Sequence, residues 1–321
     1  MKAGFFAAIF TGVLCGLVNQ SNAQEPIAHT LDVSGIERHY LEYRPTGLQS
    51  GAPLVILLHG GMQGMGKVFR PRRKHNRYWM MLADQEEFLL LTPNGTNPDT
   101  GDTATDRQHW NDLRDAAKVG NADIDDVGFI AALIDQAAEK HSINRHRVYV
   151  TGASNGGMMT YRLLIERPDL FAAGVAFIAN LPKTPVKGAA MPTPIMIVNG
   201  TEDRLVPYDG GMIARQRGLV RSTADTITYW VGVNGADPAA MQETILPDLN
   251  PDDGCRLIRT VYPAPLDGEP VVVLTMQGGG HKIPSASMPR KSGKPHAIVG
   301  RRCHDAEGAD LAWSFLSRYS R

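Results

Sequence analysis

Arg147-Val148-Tyr149-Val150-Thr151-Gly152-Ala153-Ser154-Asn155-Gly156-Gly157-Met158-Met159 decides how the rest of the chain is read. A β-branched and aromatic run ends at Gly152, and apolar residues at helical spacing begin just after Ser154. Gly152-x-Ser154-x-Gly156 stands between them. A turn this tight admits only glycine beside the serine and lifts the hydroxyl clear of the sheet edge, at the N-terminus of a helix. The bare pattern also describes an ordinary Gly/Ser/Asn turn. The strand before it and the helix after it point to a nucleophilic serine.

Outward from the elbow, the chain alternates buried strands with helices. Leu54-Val55-Ile56-Leu57-Leu58 is apolar without interruption, which marks a strand covered on both faces. Similar runs lie at 88–92, 172–178, 194–199 and 271–276, with a further strand at 256–262. Arg38-His39-Tyr40-Leu41-Glu42-Tyr43 alternates and reads as an early antiparallel strand near an edge. Helices are expected over 69–81, from Asp125-Asp126 through Val127, Ile130 and Ile134, over 225–233, and over 308–319. This order predicts a single α/β domain over 24–321, with a mostly parallel central sheet and helices on both faces. Working residues in such sheets gather at the carboxyl ends of the strands. Four strand exits are rich in glycine and polar residues: after Leu58, Val150, Val198 and Met276.

A serine hydroxyl needs a base, and the base needs an orienting acid. His281 follows a strand and Gly278-Gly279-Gly280, so its loop can approach Ser154 closely. Asp203 stands four residues past a strand end in Asn199-Gly200-Thr201-Glu202-Asp203, with Glu202 and Asp209 as competitors for the acid's role. An oxyanion intermediate needs two fixed N–H donors. The Asn155 N–H, next after the serine, is one. The other comes from His59-Gly60-Gly61-Met62, with Met62 favoured and Gly61 the alternative. No Gly-Lys-Ser/Thr follows that glycine run, which excludes a phosphate-binding P-loop. The long polar loop 96–123 carries Trp110, which either stacks on an aromatic acyl group or simply packs the loop.

The 33 basic and 33 acidic side chains balance, which argues against nucleic acid or an anionic membrane as partner. No Cys/His cluster has zinc spacing, and 248–254 reads as an Asx/Pro turn and not a calcium loop. Neither metal nor cofactor is expected. Lys2, the apolar run to Val18 and Ser21-Asn22-Ala23 form a secretory signal peptide over 1–23. Export would leave Cys255 and Cys303 as an even pair, expected as one disulfide bracketing His281, with two free thiols as the alternative.

Five motifs in order carry a family resemblance: Leu58-His59-Gly60-Gly61, Asp125-Asp126-Val127-Gly128-Phe129-Ile130, the elbow, Asn199-Gly200-Thr201-Glu202-Asp203 with Val206-Pro207-Tyr208, and Gly278-Gly279-Gly280-His281. Across residues 30–320 the chain resembles the secreted polyhydroxybutyrate depolymerase and feruloyl esterase family of α/β-hydrolases, including its LpqC-like members. The resemblance implies Ser154 as nucleophile, Asp203 as acid and His281 as base, with Asp126 as structural support behind the site. It implies a secreted or periplasmic esterase that takes a small or oligomeric ester, of feruloyl, acetyl or hydroxyalkanoate type. An acyltransferase on the same three residues, or a polyhydroxybutyrate depolymerase proper, is the alternative. Lys282-Ile283-Pro284 departs from the Trp-Pro-Gly that many relatives carry after the histidine, which alters the pocket wall there.

Overall fold

The computed structural model describes residues 24–114, 123–188, 191–265, 269–289 and 296–321. The signal-peptide reading falls on residues 1–23, outside the described residues, as do parts of the loops 96–123 and 282–302. In chain order the elements are β1 (Ile27–Val33), β2 (Ile36–Tyr43), β3 (Leu54–Leu58), α1 (Met65–Val68), α2 (Lys74–Glu86), β4 (Leu89–Pro93), α3 (Asp126–His141), β5 (Val148–Ala153), α4 (Asn155–Glu166), β6 (Ala173–Phe177), β7 (Ile195–Gly200), β8 (Gly211–Met212), β9 (Leu219–Val220), α5 (Thr223–Val233), β10 (Gln242–Ile245), β11 (Arg256–Tyr262), β12 (Val271–Gln277) and α6 (Gly308–Leu316).

Ten strands form one sheet in the order β1-β2-β4-β3-β5-β6-β7-β12-β11-β10. From β4 to β12 every pairing is parallel, and antiparallel pairs close both edges. The central strands read as unbroken apolar runs because each face of the sheet is covered. Leu54, Ile56 and Leu58 join the core under α3, α4 and α5, while Val55 and Leu57 join the core under α2 and α6. The same alternation repeats at β7, where Ile195 and Ile197 face one core and Met196 and Val198 the other. The α/β-hydrolase expectation holds, and with it the mostly parallel sheet.

The differences lie at the margins. β1 and β10 carry too little apolar signal to be read as strands; all four β10 residues are exposed. The helix expected over 69–81 begins at Lys74 and runs to Glu86. Pro71 steers Arg70 away from helical backbone, so the start is delayed. Polar Asp84-Gln85-Glu86 extend the far end outside the apolar period.

Candidate active site

The elbow is fixed by backbone. Ser154 has φ 59° and ψ −121°, a left-handed conformation that costs a non-glycine residue about 1–3 kcal/mol. Its N–H donates to the Phe177 carbonyl (2.9 Å) and its carbonyl accepts from Met158 N–H (2.9 Å). A Cβ on Gly152 would lie 2.5 Å from the Gly156 oxygen, and one on Gly156 would lie 2.5 Å from the His59 oxygen. Those obstacles are backbone atoms, which cannot swing aside.

The candidate acid and base, Asp203 and His281, meet because β7 and β12 are parallel neighbours. Thr201 N–H donates to the Met276 carbonyl and Glu202 N–H to that of Gly279, lashing the two strand exits together. Asp203 Oδ1 accepts from Leu205 N–H (2.8 Å) and Val206 N–H (2.9 Å). Its Oδ2 lies 2.6 Å from His281 Nδ1. With Nδ1–H donated to the carboxylate, Nε2 is left as the proton acceptor of the ring. Ser154 and His281 line the same cavity, of about 370 Å³. Glu202 and Asp209 are exposed, and neither bonds to His281 among the described residues.

One expected donor is corrected. Met62 N–H is spent on the Gln108 carbonyl at 2.9 Å, inside a tight turn where Met62 has φ 59°. The Gln63–Gln108 bridge locks that turn, so Met62 N–H is not available to an oxyanion. Gly61, the alternative, lines the cavity, and a Cβ there would strike the His109 ring at 2.8 Å. Asn155 begins α4, so its N–H has no intrahelical acceptor. Neither the Gly61 nor the Asn155 N–H meets a protein acceptor among the described residues.

Comparison with known proteins bears on the family. A family model described as the prolyl oligopeptidase family matches residues 107–182, which include the elbow and its helix. The Nocardia uniformis subsp. tsuyamanensis protein named Putative esterase NocK is 31% identical over 302 residues, 90% of this chain and 82% of that one. The chain belongs to the esterase family of α/β-hydrolases. The esterase is also 29% identical over 166 residues to Feruloyl esterase B of Piromyces equi, covering 50% of this chain and 29% of that protein. Among solved structures, an acetyl xylan esterase from Aspergillus awamori superposes with a TM-score of 0.51 at 18% identity, over 76% of this chain and 89% of that one.

Behind the glycine turn the esterase packs a neutral histidine. His59 Nε2 accepts from Gly95 N–H at 3.0 Å, so its proton sits on Nδ1 and is donated to the Gly60 carbonyl at 2.9 Å. Burial pushes His59 down to about 4. Trp110 is corrected too: it is fully buried, donates Nε1–H to the His59 carbonyl at 2.9 Å and does not line the cavity. It packs the loop and presents no face to an acyl group. Asp126 is where the resemblance put it, fully buried and paired with Arg38 at 2.6 Å.

Cys255 and Cys303 form the expected disulfide, with Cα atoms 5.2 Å apart. The strand of chain leading to Cys303 borders the histidine loop: Gly280 N–H donates to the Arg301 carbonyl and Ser285 N–H to that of Cys303. No His/Cys/Asp/Glu cluster able to hold a metal occurs among the described residues. Sequence reading missed the cavity's cationic wall. Arg73, Arg217, Lys282 and Arg302 all line it. The basic run Arg70-Pro71-Arg72-Arg73-Lys74 was the signal that could have found part of it.

Proposed function

We propose that this esterase hydrolyses carboxylic esters through a Ser154 acyl-enzyme, outside the cytoplasm. The observation that carries the reading is the Asp203–His281 contact of 2.6 Å at the wall of the cavity that also holds Ser154. His281 Nε2 takes the Ser154 proton as Oγ forms a bond to the ester carbonyl carbon. The carbonyl oxygen becomes an oxyanion held by the Asn155 and Gly61 N–H groups. Collapse breaks the bond to the alkoxy oxygen, which leaves as the alcohol with the proton from His281. A water then repeats the sequence against the acyl-enzyme, releasing the carboxylic acid and restoring the serine. Asp203 fixes the ring's tautomer, with its second oxygen saturated by two backbone N–H groups.

The disulfide supports a secreted or periplasmic site of action, because such bonds persist in oxidising compartments. The names of the relatives point to acyl groups of acetyl or feruloyl type, and the sequence motifs add hydroxyalkanoate oligomers. The cavity volume suits a small ester or the end of an oligomer. The test is turnover of short para-nitrophenyl esters by the wild type and by Ser154→Ala, with labelling by a fluorophosphonate. Turnover and label should both disappear in a variant that keeps the wild-type melting curve. A folded Ser154→Ala protein that still turns over ester at the wild-type rate would overturn the assignment.

A further inference from the structure

The cavity beside Ser154 is electrostatically one-sided. Arg73, Arg217, Lys282 and Arg302 line it, and no acidic side chain does among the described residues. The chain as a whole has equal numbers of acids and bases, so this asymmetry is local. Burial lowers the basicity of both Arg73 and Arg302, the neighbouring Arg72 and Arg70 lower that of Arg73 further, and Arg73 lowers that of Arg302, with which it shares the cavity wall. No carboxylate lies within ion-pair distance of either among the described residues. Glu307 attracts Arg302 from farther off, but its Oε1 is taken by Ser285 Oγ and Ser287 N–H.

A second observation points the same way. His75 lines this cavity, is 8% exposed, and its Nδ1 is buried without a hydrogen-bond partner among the described residues. A buried ring nitrogen left unpaired is costly, so a partner from outside the chain would remove that cost. Both arginines press His75 toward its neutral form, with burial the larger cause, leaving it down at about 3. A neutral ring can carry its proton on Nδ1 and donate it. Two half-buried guanidinium groups and one imidazole N–H are a donor set for a planar anion.

We propose that the esterase's substrates carry a free carboxylate, bound by Arg73 and Arg302 with His75 Nδ1–H at the far side of the cavity from the scissile ester. The chemical class is the half-ester of a dicarboxylic acid, or an ester of a hydroxycarboxylic acid that ends in a carboxylate. The proposal rests on the Ser154 ester-hydrolase reading for its chemistry but not for its binding site. The basic run Arg70–Lys74, of which Arg73 is the inward member, would draw such anions to the mouth.

The experiment compares mono-para-nitrophenyl adipate with para-nitrophenyl hexanoate, which differ only in the terminal carboxylate. The wild type should favour the adipate in kcat/KM by about ten- to a hundredfold at low salt, mostly through KM. About 0.5 M NaCl should shrink that ratio, since screening weakens a partly exposed pair. Arg73→Gln should lower the adipate-to-hexanoate ratio roughly tenfold, and Arg73→Lys should restore part of it. Because Arg302 lies deeper and its replacement could unfold the protein, the second arm is binding alone. Monomethyl adipate should raise the melting temperature of Ser154→Ala and not that of Ser154→Ala/Arg73→Gln. If hexanoate is turned over with a ratio of one or less and monomethyl adipate gives no shift, the proposal is overturned. If neither ester is turned over while the shift appears, the anion site stands and the Ser154 reading falls.

Discussion

Asn155 Nδ2 lies 2.6 Å from Asp112 Oδ2, so the residue that follows the serine grips the polar loop with its side chain. The same nitrogen donates to the Trp110 carbonyl at 3.0 Å, and Asn155 Oδ1 accepts from Trp110 N–H at 2.8 Å. Asp112 is buried against Arg114, and Arg162 reaches the next carbonyl, that of Asn111, at 2.6 Å. The His109–Trp110 segment in turn walls Gly61 and holds His59. Asn155→Ala keeps the backbone N–H but strips these bonds. It should cost about 1–3 kcal/mol of stability, because buried partners are left unpaired. kcat should fall roughly tenfold with KM less affected, since a donor positioned for the transition state is loosened. Chemical denaturation and steady-state kinetics on one ester check both. An unchanged kcat would mean that the loop does not position the turn.

The disulfide should couple stability to catalysis. Replacing Cys255 and Cys303 together by serine should lower stability by about 2–4 kcal/mol, because the bond closes a long loop in the unfolded chain. kcat should fall as well, since Gly280 N–H leans on the Arg301 carbonyl two residues before Cys303. Activity measured well below the melting transition separates the two effects. Wild-type kcat in a destabilised variant would show that the loop holds its place without the bond.

Acid should unfold this protein early. Burial holds His59 at about 4, His75 at about 3 and His109 at about 4, against an ordinary 6.5. Their folded values are depressed, so below 6.5 the unfolded chain takes up protons that the folded chain refuses. The stability they contribute is complete above 6.5 and is lost as the pH falls toward their folded values. The limit is on the order of 3–5 kcal/mol per histidine. Urea midpoints taken at intervals from about pH 7.5 down to about pH 4.5 should drop steadily below 6.5. A flat profile over that window would mean that these rings charge in the folded state.

Much of this site could be read from the chain because its parts sit at strand ends. The apolar runs locate the strands, and the glycines around Ser154 and before His281 report close backbone approaches in sequence order. Asp203 was legible for the same reason. What was not legible depends on how loops fold back. Met62 and Gly61 differ by one residue, and only the Gln108 carbonyl decides between their N–H groups. Trp110 in a polar loop looks like a ligand contact until its ring is seen against His59 at 4.8 Å. Arg73 and Arg302 are 229 positions apart in the numbering and share a wall only after folding. The edge strands β1 and β10 escaped because a strand open to solvent needs no apolar pattern.

The backbone of Ser154 sets the proposed nucleophile against the stability of its own fold. At φ 59° a Cβ is a burden, and the serine there brings one along with its hydroxyl. Ser154→Gly and Ser154→Ala both lose that hydroxyl, yet only glycine sheds the burden. The glycine variant should therefore resist denaturant better than the alanine variant by about 1 kcal/mol, and match or exceed the wild type. A glycine variant that is inert and sturdier than its parent would measure what the fold gives up to hold the proposed nucleophile ready.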